Sequence, residues 1–202
     1  MSEYYIIGAG GHASVIFDIL QNNNIKIKGF FADYPKEPKF GYPVLGDIND
    51  SVNYSNDSKF IIAIGDNHVR MQISKRLNSI NYFSIVHSSA IIGSNVKMGD
   101  GTSVFPNAVV NSGTIVGNHV IVNSGVIIEH DCLIGNYVHV SPRAVLCGHV
   151  YVGDNTWIGA GATIIDKINI GKNVVIGAGS VVIRDIPDGM KVAGVPAHEL
   201  TK

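Results

Sequence analysis

The chain has 202 residues and a formal net charge of −1 at neutral pH, with a sequence pI near 6.7. This length accommodates two small units, each able to bury its own core, and the near-neutral charge argues against nucleic acid or an anionic membrane as the main partner. No apolar run approaches the roughly 18 residues of a membrane span, and the apolar segment at residues 4–7 is too short for a signal peptide. We therefore expect a cytoplasmic protein with no membrane partner.

Residues 1–85 alternate between predicted strands and predicted helices, which is typical of an α/β unit with a parallel sheet. The stretch 34–58 contains three prolines and many polar residues, so we expect it to be mostly loop. The pattern predicts a small Rossmann-like domain over residues 1–85. Its predicted elements are a strand at 4–7, a helix at about 12–22, strands at about 25–31 and 60–64, and a helix through Val69, Ile73 and Leu77.

The turn after the first predicted strand carries a phosphate-binding pattern. Gly8, Gly10 and Ala13 match the G-x-G-x-x-G/A fingerprint, and Asp33 lies 20 residues after Ala13. Alone, this pattern indicates an NAD-dependent dehydrogenase, but a dinucleotide needs two βαβ halves, and this unit has one half and a fragment. The glycine turn opens a helix whose N–H groups bind anions. A mononucleotide or nucleotide sugar therefore fits this unit better than a dinucleotide does. Asp33 would accept a hydrogen bond from its ribose or from a base N–H.

Three polar residues follow the third predicted strand of this unit. They are Asp66, Asn67 and Arg70. Because the carboxyl ends of parallel strands meet at one edge of a sheet, we expect these side chains to face the same crevice as the glycine turn.

The second half of the chain has a period of six residues. From Val86 to Val182 an aliphatic residue or methionine recurs at every sixth position, and the residue two places earlier is mostly small or β-branched. This period fits neither an amphipathic helix nor an alternating strand, and it is typical of a hexapeptide parallel β-helix with three hexads per coil. We expect residues 86–202 to form this β-helix. Residues 185–202 are predicted to leave the last coil and cover its open end.

A G-x-G-G-H turn at residues 8–12 followed by a hexapeptide solenoid resembles one bacterial acyltransferase family. That family contains the UDP-4-amino-sugar N-acetyltransferases of bacillosamine synthesis, GDP-perosamine N-acetyltransferases and sialic acid O-acetyltransferases. The likeness covers nearly the whole chain, including IEHDCLIG at 128–135, VHVS at 138–141 and GVPA at 194–197. It implies a left-handed β-helix, an exception to the right-handed crossover rule. It also implies homotrimers that bind acetyl-CoA between neighbouring solenoids, with no metal.

The resemblance further implies roles for individual residues. His130 corresponds to the general base, and Asp131 to the carboxylate that orients it, although relatives often carry glutamate at that position. The implied cofactor-binding residues are His139 near the thioester carbonyl, Gly148 through its backbone N–H, and Ala160 and Ala178 along the pantetheine arm. The implied nucleotide-sugar-binding residues are Gly8, Gly10, Gly11, His12, Asp33 and Gly65.

Acetyl transfer to an amine requires this type of chemistry. A hexosamine ammonium must lose a proton before it attacks, and an imidazole titrates close enough to neutral pH to accept that proton. CoA is a good leaving group, so direct attack suffices without a serine or cysteine nucleophile. The period predicts that His130 projects outward, and that His139 lies half a coil away on another part of the surface. We hypothesise that the two histidines meet across a trimer interface.

Several alternatives remain at this point. The preferred substrate is UDP-4-amino-4,6-dideoxy-N-acetylglucosamine, while GDP-perosamine N-acetylation and sialic acid O-acetylation are alternatives. A zinc enzyme resembling the γ-class carbonic anhydrases would draw its ligands from His119, His130, His139 and His149, although their spacing does not match that family. A nucleotide-sugar sensor without catalysis is the third possibility. Two further histidines of the β-helix, His119 and His149, are expected to be surface residues, and Trp157 packs either at an interface or against the cofactor.

Overall fold

The computed structural model describes residues 2–54 and 57–200. The N-terminal unit is a parallel five-stranded sheet with the order β3-β2-β1-β4-β5. This order places the carboxyl ends of β1 and β4 side by side at the point where the strand order reverses, which is where open α/β sheets bind ligands. The elements are β1 (Glu3–Ile7), α1 (Gly11–Asn22), β2 (Ile27–Phe31), β3 (Val44–Gly46), a 3-10 helix (Ile48–Asn53), β4 (Ser58–Ile62), α2 (Asn67–Arg76) and β5 (Asn81–Tyr82).

The stretch predicted to be mostly loop contains two short elements, β3 and the 3-10 helix. The strand β3 has only three residues and pairs with β2 at the edge of the sheet, so it has no detectable period in the sequence. The 3-10 helix begins where the Asp50 carboxylate accepts a hydrogen bond from the backbone N–H of Asp47 at 2.8 Å. Residues 55 and 56 of this stretch lie outside the described residues.

The second half is a parallel β-helix of two-residue strands that recur every six residues, which confirms the predicted period, and its architecture is consistent with left-handed winding. Its strands form three faces. The first face contains Ile85–Val86, Ser103–Val104, Ile121–Val122, His139–Val140, Trp157–Ile158 and Val175–Ile176. The second contains Ile91–Ile92, Val109–Val110, Ile127–Ile128, Val145–Leu146, Thr163–Ile164 and Val181–Val182. The third contains Lys97–Met98, Ile115–Val116, Leu133–Ile134, Tyr151–Val152 and Asn169–Ile170.

Residues 185–200 close the far end of the β-helix. Lys191–Ala193 adds a strand beside Val175–Ile176, and His198–Glu199 returns antiparallel to it. Ile186 and Val192 are buried in the same apolar core as the coils. Residues 201 and 202 of the predicted cap lie outside the described residues. No helix within the described part of the chain is both long enough and apolar enough to cross a membrane.

The N-terminal unit packs on the first face of the β-helix. Helix α1 shares one apolar cluster with Ile85, Phe105 and Ile121. The adjoining polar contact centres on Arg70, whose side chain is 1% exposed. Its five N–H groups have five acceptors at 2.8–3.0 Å, which are the backbone carbonyls of Ile64, Gly65, His119 and Tyr137 and the side-chain oxygen of Asn67.

The expectation that Asp66, Asn67 and Arg70 face the nucleotide crevice is wrong. The Asp66 side chain accepts a hydrogen bond from Val69 N–H at 2.9 Å and caps α2. The Asn67 amide donates to the backbone carbonyl of Thr156 at 3.1 Å. Asn67 and Arg70, in the first turn of α2, therefore face the β-helix, because their side chains donate hydrogen bonds to backbone carbonyls of the coils.

His119 was expected on the surface, and that prediction is also wrong. Its ring is buried at the same junction, stacked on Tyr137 with a centroid distance of 5.4 Å and packed edge-on against Tyr82 at 4.5 Å. The six-residue period predicts that position 119 points away from the coil core, but it contains no information about what covers the coil.

Replacing Arg70 with Ala should lower the free energy of unfolding by about 3 kcal/mol or more, because it leaves several buried acceptors without a donor. The matched control is Arg76→Ala in the same helix, where the side chain is exposed and the expected change is below about 0.5 kcal/mol. Urea unfolding followed by circular dichroism measures both. Equal stabilities of the two variants would contradict the assigned role of Arg70.

Candidate functional site

A pocket of about 530 Å³ lies at the carboxyl ends of β1, β2 and β4. Its size is within the range of small-molecule sites, and its position is the switch point of the sheet. All six residues that the resemblance implies for nucleotide-sugar binding line it, namely Gly8, Gly10, Gly11, His12, Asp33 and Gly65. The pocket also includes Gln72 and Arg76 from α2, which the sequence reasoning did not identify, because a single arginine on a predicted helix has no local signal for a pocket.

The glycines of this pocket have two different physical roles. Gly8 has φ +105°, and a Cβ there would lie 3.0 Å from the carbonyl oxygen of Ala63, so the turn itself requires glycine. At Gly10, Gly11 and Gly65 a Cβ would meet nothing within 4 Å. Packing within the chain therefore does not require glycine at these three positions. Their bare backbone leaves space for a ligand to approach the N-terminus of α1.

Two side chains supply specific polar groups to the pocket. One Asp33 carboxylate oxygen accepts a hydrogen bond from Ile48 N–H at 3.1 Å, which holds the carboxylate at the pocket wall. The His12 ring stacks on Phe105 with a centroid distance of 5.3 Å. Its buried Nε2 atom has no hydrogen-bond partner among the described residues. A ligand in the pocket therefore meets an oriented carboxylate at Asp33 and the wall formed by His12.

A second concavity, a groove of about 480 Å³, runs along the lower part of the first face. The N-terminal unit covers the strands that the earlier coils contribute to this face. It leaves the outward side chains of Trp157 and Val175, on the later coils, at least partly exposed. His139, Ala160 and Ala178 all line this groove, so the structure brings these three predicted cofactor-binding residues together. Trp157 forms part of the same wall, and its Nε1–H donates to Ser141 Oγ at 2.7 Å. Its position favours packing against the occupant of the groove.

His139 lies between the groove and the pocket. Its Nδ1 is 3.3 Å from the Gly65 carbonyl oxygen, its Nε2 is 3.1 Å from Asn123 Nδ2, and its ring stacks on Trp157. Gly65 lines the pocket while His139 lines the groove. The linings of the two concavities are therefore in contact through these two residues.

His130 and Asp131 lie at a different place, the corner between the second and third faces. His130 Nδ1 is 2.9 Å from Asp131 Oδ2, and the two side chains are 51% and 53% exposed. Gly148 is at this corner too, one coil further along, and not in the groove. A Cβ at Gly148 would lie 2.9 Å from the His130 ring, so glycine there leaves room for the imidazole. Within one chain, the His130–Asp131 pair and the groove occupy separate corners.

The histidines of the β-helix do not converge on one metal site. His119 is buried at the junction, and His139 contacts Gly65. Among the described residues, three potential metal ligands do lie close together, with donor atoms within 4.8 Å of one another. They are His130, Asp131 and His149. This set differs from the four-histidine arrangement considered for a zinc enzyme.

Burial, together with the nearby positive charge of Arg70, lowers the pKa of His12, His119 and His139 to about 4. In the unfolded chain these groups protonate near their ordinary value of 6.5. Between these two values the unfolded state binds more protons, so the free energy of unfolding should fall as the pH decreases from about 6.5 to about 4. Above about pH 6.5 this contribution is fully present and constant.

Histidine NMR titration and urea unfolding at about pH 7.5 and about pH 5 check this prediction. Signals are assigned with single His→Asn variants. A resonance from any of the three histidines that titrates near 6.5 would contradict it.

Comparisons with known proteins agree with both halves of the fold. Residues 3–77 match the PglD N-terminal domain family, and residues 149–184 match the bacterial transferase hexapeptide (six repeats) family. The UDP-N-acetylbacillosamine N-acetyltransferase of Bacillus subtilis (strain 168) is 35% identical over 113 residues, which is 52% of this chain. The match spans about half, 51%, of that curated relative's length.

Two solved structures match along nearly the whole chain. The acetyltransferase domain of PglB from Neisseria gonorrhoeae FA1090, in complex with acetyl coenzyme A, is 33% identical with a TM-score of 0.93, covering 98% of each chain. PerB from Caulobacter crescentus, in complex with CoA and GDP-perosamine, is 31% identical with a TM-score of 0.94, covering 100% of this chain and 98% of PerB. The chain therefore belongs to the family of hexapeptide-repeat acetyltransferases that carry a PglD-type N-terminal domain.

Proposed function

We propose that this protein transfers the acetyl group of acetyl-CoA to the amine of a nucleotide-linked amino sugar. The observation that carries this proposal is the contact between His139 and Gly65, which joins a groove of about 480 Å³ to a pocket of about 530 Å³. A reaction between two large substrates needs two adjoining sites, with the reacting atoms meeting where the sites touch. The bound ligands of the PglB and PerB structures, acetyl-CoA in one and CoA with GDP-perosamine in the other, are of the two classes proposed.

The groove suits the pantetheine arm of the cofactor. Its wall at Ala160 and Ala178 consists of small side chains one coil apart, with Trp157 and Val175 providing apolar contact. His139 at the groove end has its pKa lowered to about 4, mainly by burial, so it is neutral at physiological pH. A neutral imidazole at this position can contact a thioester without placing a second positive charge beside the sugar ammonium as it binds and loses its proton.

The pocket suits the nucleotide portion of the sugar substrate. The open space beside Gly10 and Gly11 exposes the N-terminus of the 12-residue helix α1, which favours a diphosphate. Arg76 adds a positive charge at the pocket wall, and Asp33 adds an acceptor for a ribose hydroxyl or base N–H. We propose UDP-4-amino-4,6-dideoxy-N-acetylglucosamine as the substrate, because the nucleotide-like pocket favours a nucleotide-linked amine over free sialic acid.

In the proposed mechanism, His130 removes a proton from the sugar ammonium. The neutral amine attacks the thioester carbon, a C–N bond forms, and the C–S bond breaks to release CoA. Asp131 holds His130 Nδ1 and stabilises the imidazolium that forms. Gly148 is proposed to provide the backbone N–H that binds the developing oxyanion, an interaction worth about 3 kcal/mol in comparable sites.

The proposed active site requires more than one subunit. His130 lies on a different corner of the triangular coil from the groove, so one chain cannot place both against the same thioester. A cyclic homotrimer brings the corner of one chain to the groove of the next. We propose this assembly, with acetyl-CoA bound between neighbouring subunits.

His130→Ala should lower kcat by at least about 100-fold, because the substrate ammonium loses its base. Asp131→Asn should cause a smaller loss, since the amide keeps the size of the side chain but not its charge. His198→Ala, at an exposed position on the C-terminal strand, is the control and should leave kcat unchanged. Near-normal turnover by His130→Ala would remove His130 from the mechanism.

Mixed trimers test whether the site is shared. Ala160→Trp should fill the groove and abolish activity, as should His130→Ala. Coexpression of the two variants creates interfaces where an intact His130 faces an intact groove, and about one quarter of the sites in a random mixture should regain activity. Differently tagged subunits verify mixing, and separately purified trimers combined without subunit exchange are the control. Verified mixed trimers with no activity would contradict a shared site.

The substrate is tested with acetyl-CoA and a panel of UDP-, GDP- and CMP-linked sugars, both amino and hydroxyl acceptors. The expected result is acetylation of a nucleotide-linked 4-amino sugar, identified by mass spectrometry. Acetylation of sialic acid but not of any amine would favour the O-acetyltransferase alternative instead.

A further inference from the structure

His149 has no role in the proposed reaction, yet it lies against the proposed catalytic pair. Its Nε2 is 4.0 Å from Asp131 Oδ2, and its ring is perpendicular to that of His130 with a centroid distance of 5.1 Å. One donor atom from each of the three residues lies within 4.8 Å of the other two. The three side chains form a cluster with two imidazoles and one carboxylate.

The coil geometry holds this cluster in place. His149 follows Asp131 by 18 residues, which is one coil, and both have the same left-handed backbone conformation with φ +58°. The backbone N–H of His149 donates to the His130 carbonyl at 3.0 Å. The two imidazoles are thus fixed on adjacent coils, and only their side-chain torsions remain to be adjusted.

The donor set has the chemistry of a zinc site. Zinc with a water ligand is commonly bound by three protein ligands drawn from imidazole nitrogens and a carboxylate oxygen, at about 2.0–2.2 Å. Such ligands lie roughly 3.3 Å apart around a tetrahedral ion. The His149–Asp131 separation of 4.0 Å is therefore within reach of small torsional changes. All three side chains are about half exposed in the single chain, so their donor atoms are not buried in its core.

We infer that His130, Asp131 and His149 form a binding site for zinc and that the bound ion inhibits acetyl transfer. The inhibitory part of this inference rests on the proposed function. A zinc ion on the His130 imidazole occupies a nitrogen lone pair and draws Asp131 away from its hydrogen bond with His130. The added positive charge also opposes the approach of a sugar ammonium. Zinc at this site competes with the proton for a nitrogen of the His130 imidazole, and it has no part in the forward reaction.

Metal binding is measured first without substrates, on the full-length protein after EDTA treatment and dialysis. Co²⁺ is the probe, because its visible absorption reports tetrahedral coordination by nitrogen and oxygen ligands. The expected result is one Co²⁺ per chain, displaced by one Zn²⁺. Absence of stoichiometric Co²⁺ and Zn²⁺ binding would overturn the inference. This measurement does not depend on turnover, so its failure is distinguishable from failure of the proposed function.

Inhibition is measured next by titrating Zn²⁺ into the acetyl-transfer assay. The acetylated product is followed by chromatography, because the thiol of released CoA binds zinc. His149→Ala should retain near-normal turnover without zinc, while the Zn²⁺ concentration for half-inhibition rises at least about 10-fold. His198→Ala is the matched control and should be inhibited like the unmodified protein. Equal zinc inhibition and equal Co²⁺ affinity in the His149→Ala variant would overturn the inference.

Discussion

The arrangement of both concavities depends on the buried guanidinium of Arg70. Its five hydrogen bonds join the loop after β4 to two coils of the β-helix. The same loop includes Gly65, whose carbonyl oxygen contacts His139. Burial lowers the pKa of Arg70 to about 10, which still leaves the group charged at neutral pH. The position of the pocket relative to the groove therefore depends on one charged side chain whose hydrogen-bond acceptors, among the described residues, are four backbone carbonyls and one side-chain amide oxygen.

The 18-residue coil determines which side chains become neighbours in the second half. Residues far apart in sequence lie side by side, as with His130 and Gly148, where the absent Cβ leaves space for the ring. Residues close in sequence can lie far apart around the coil: His130 is at the corner between the second and third faces, whereas His139 is on the first face. The triangular cross-section thus places the His130–Asp131 pair and the groove of one chain on different sides of the coil. In the proposed trimer, the pair of one subunit lies against the groove of the next.

The period of six predicted the β-helix well, because each inward position imposes the same steric requirement in every coil. The glycine turn likewise predicted the pocket, since Gly8 needs its positive φ and the switch point follows from strand order. The sequence did not predict the burial of His119 or the role of Arg70. Both depend on how the N-terminal unit packs across the first face, and that contact joins residues with no common periodicity.

The lack of a side chain at Gly148 has a consequence for how this half of the molecule can evolve. A larger residue there requires the His130 ring to move or position 130 to become smaller, and a similar relation links Gly113 to Asp131, where an added Cβ would lie 2.4 Å from the carboxylate. Substitutions at these positions are thus coupled between adjacent coils, along the axis of the β-helix, and hardly at all between neighbours in sequence. Among homologues, compensating replacements should appear between positions about one coil, or 18 residues, apart. In a residue-by-residue covariation map they would form a band parallel to the diagonal.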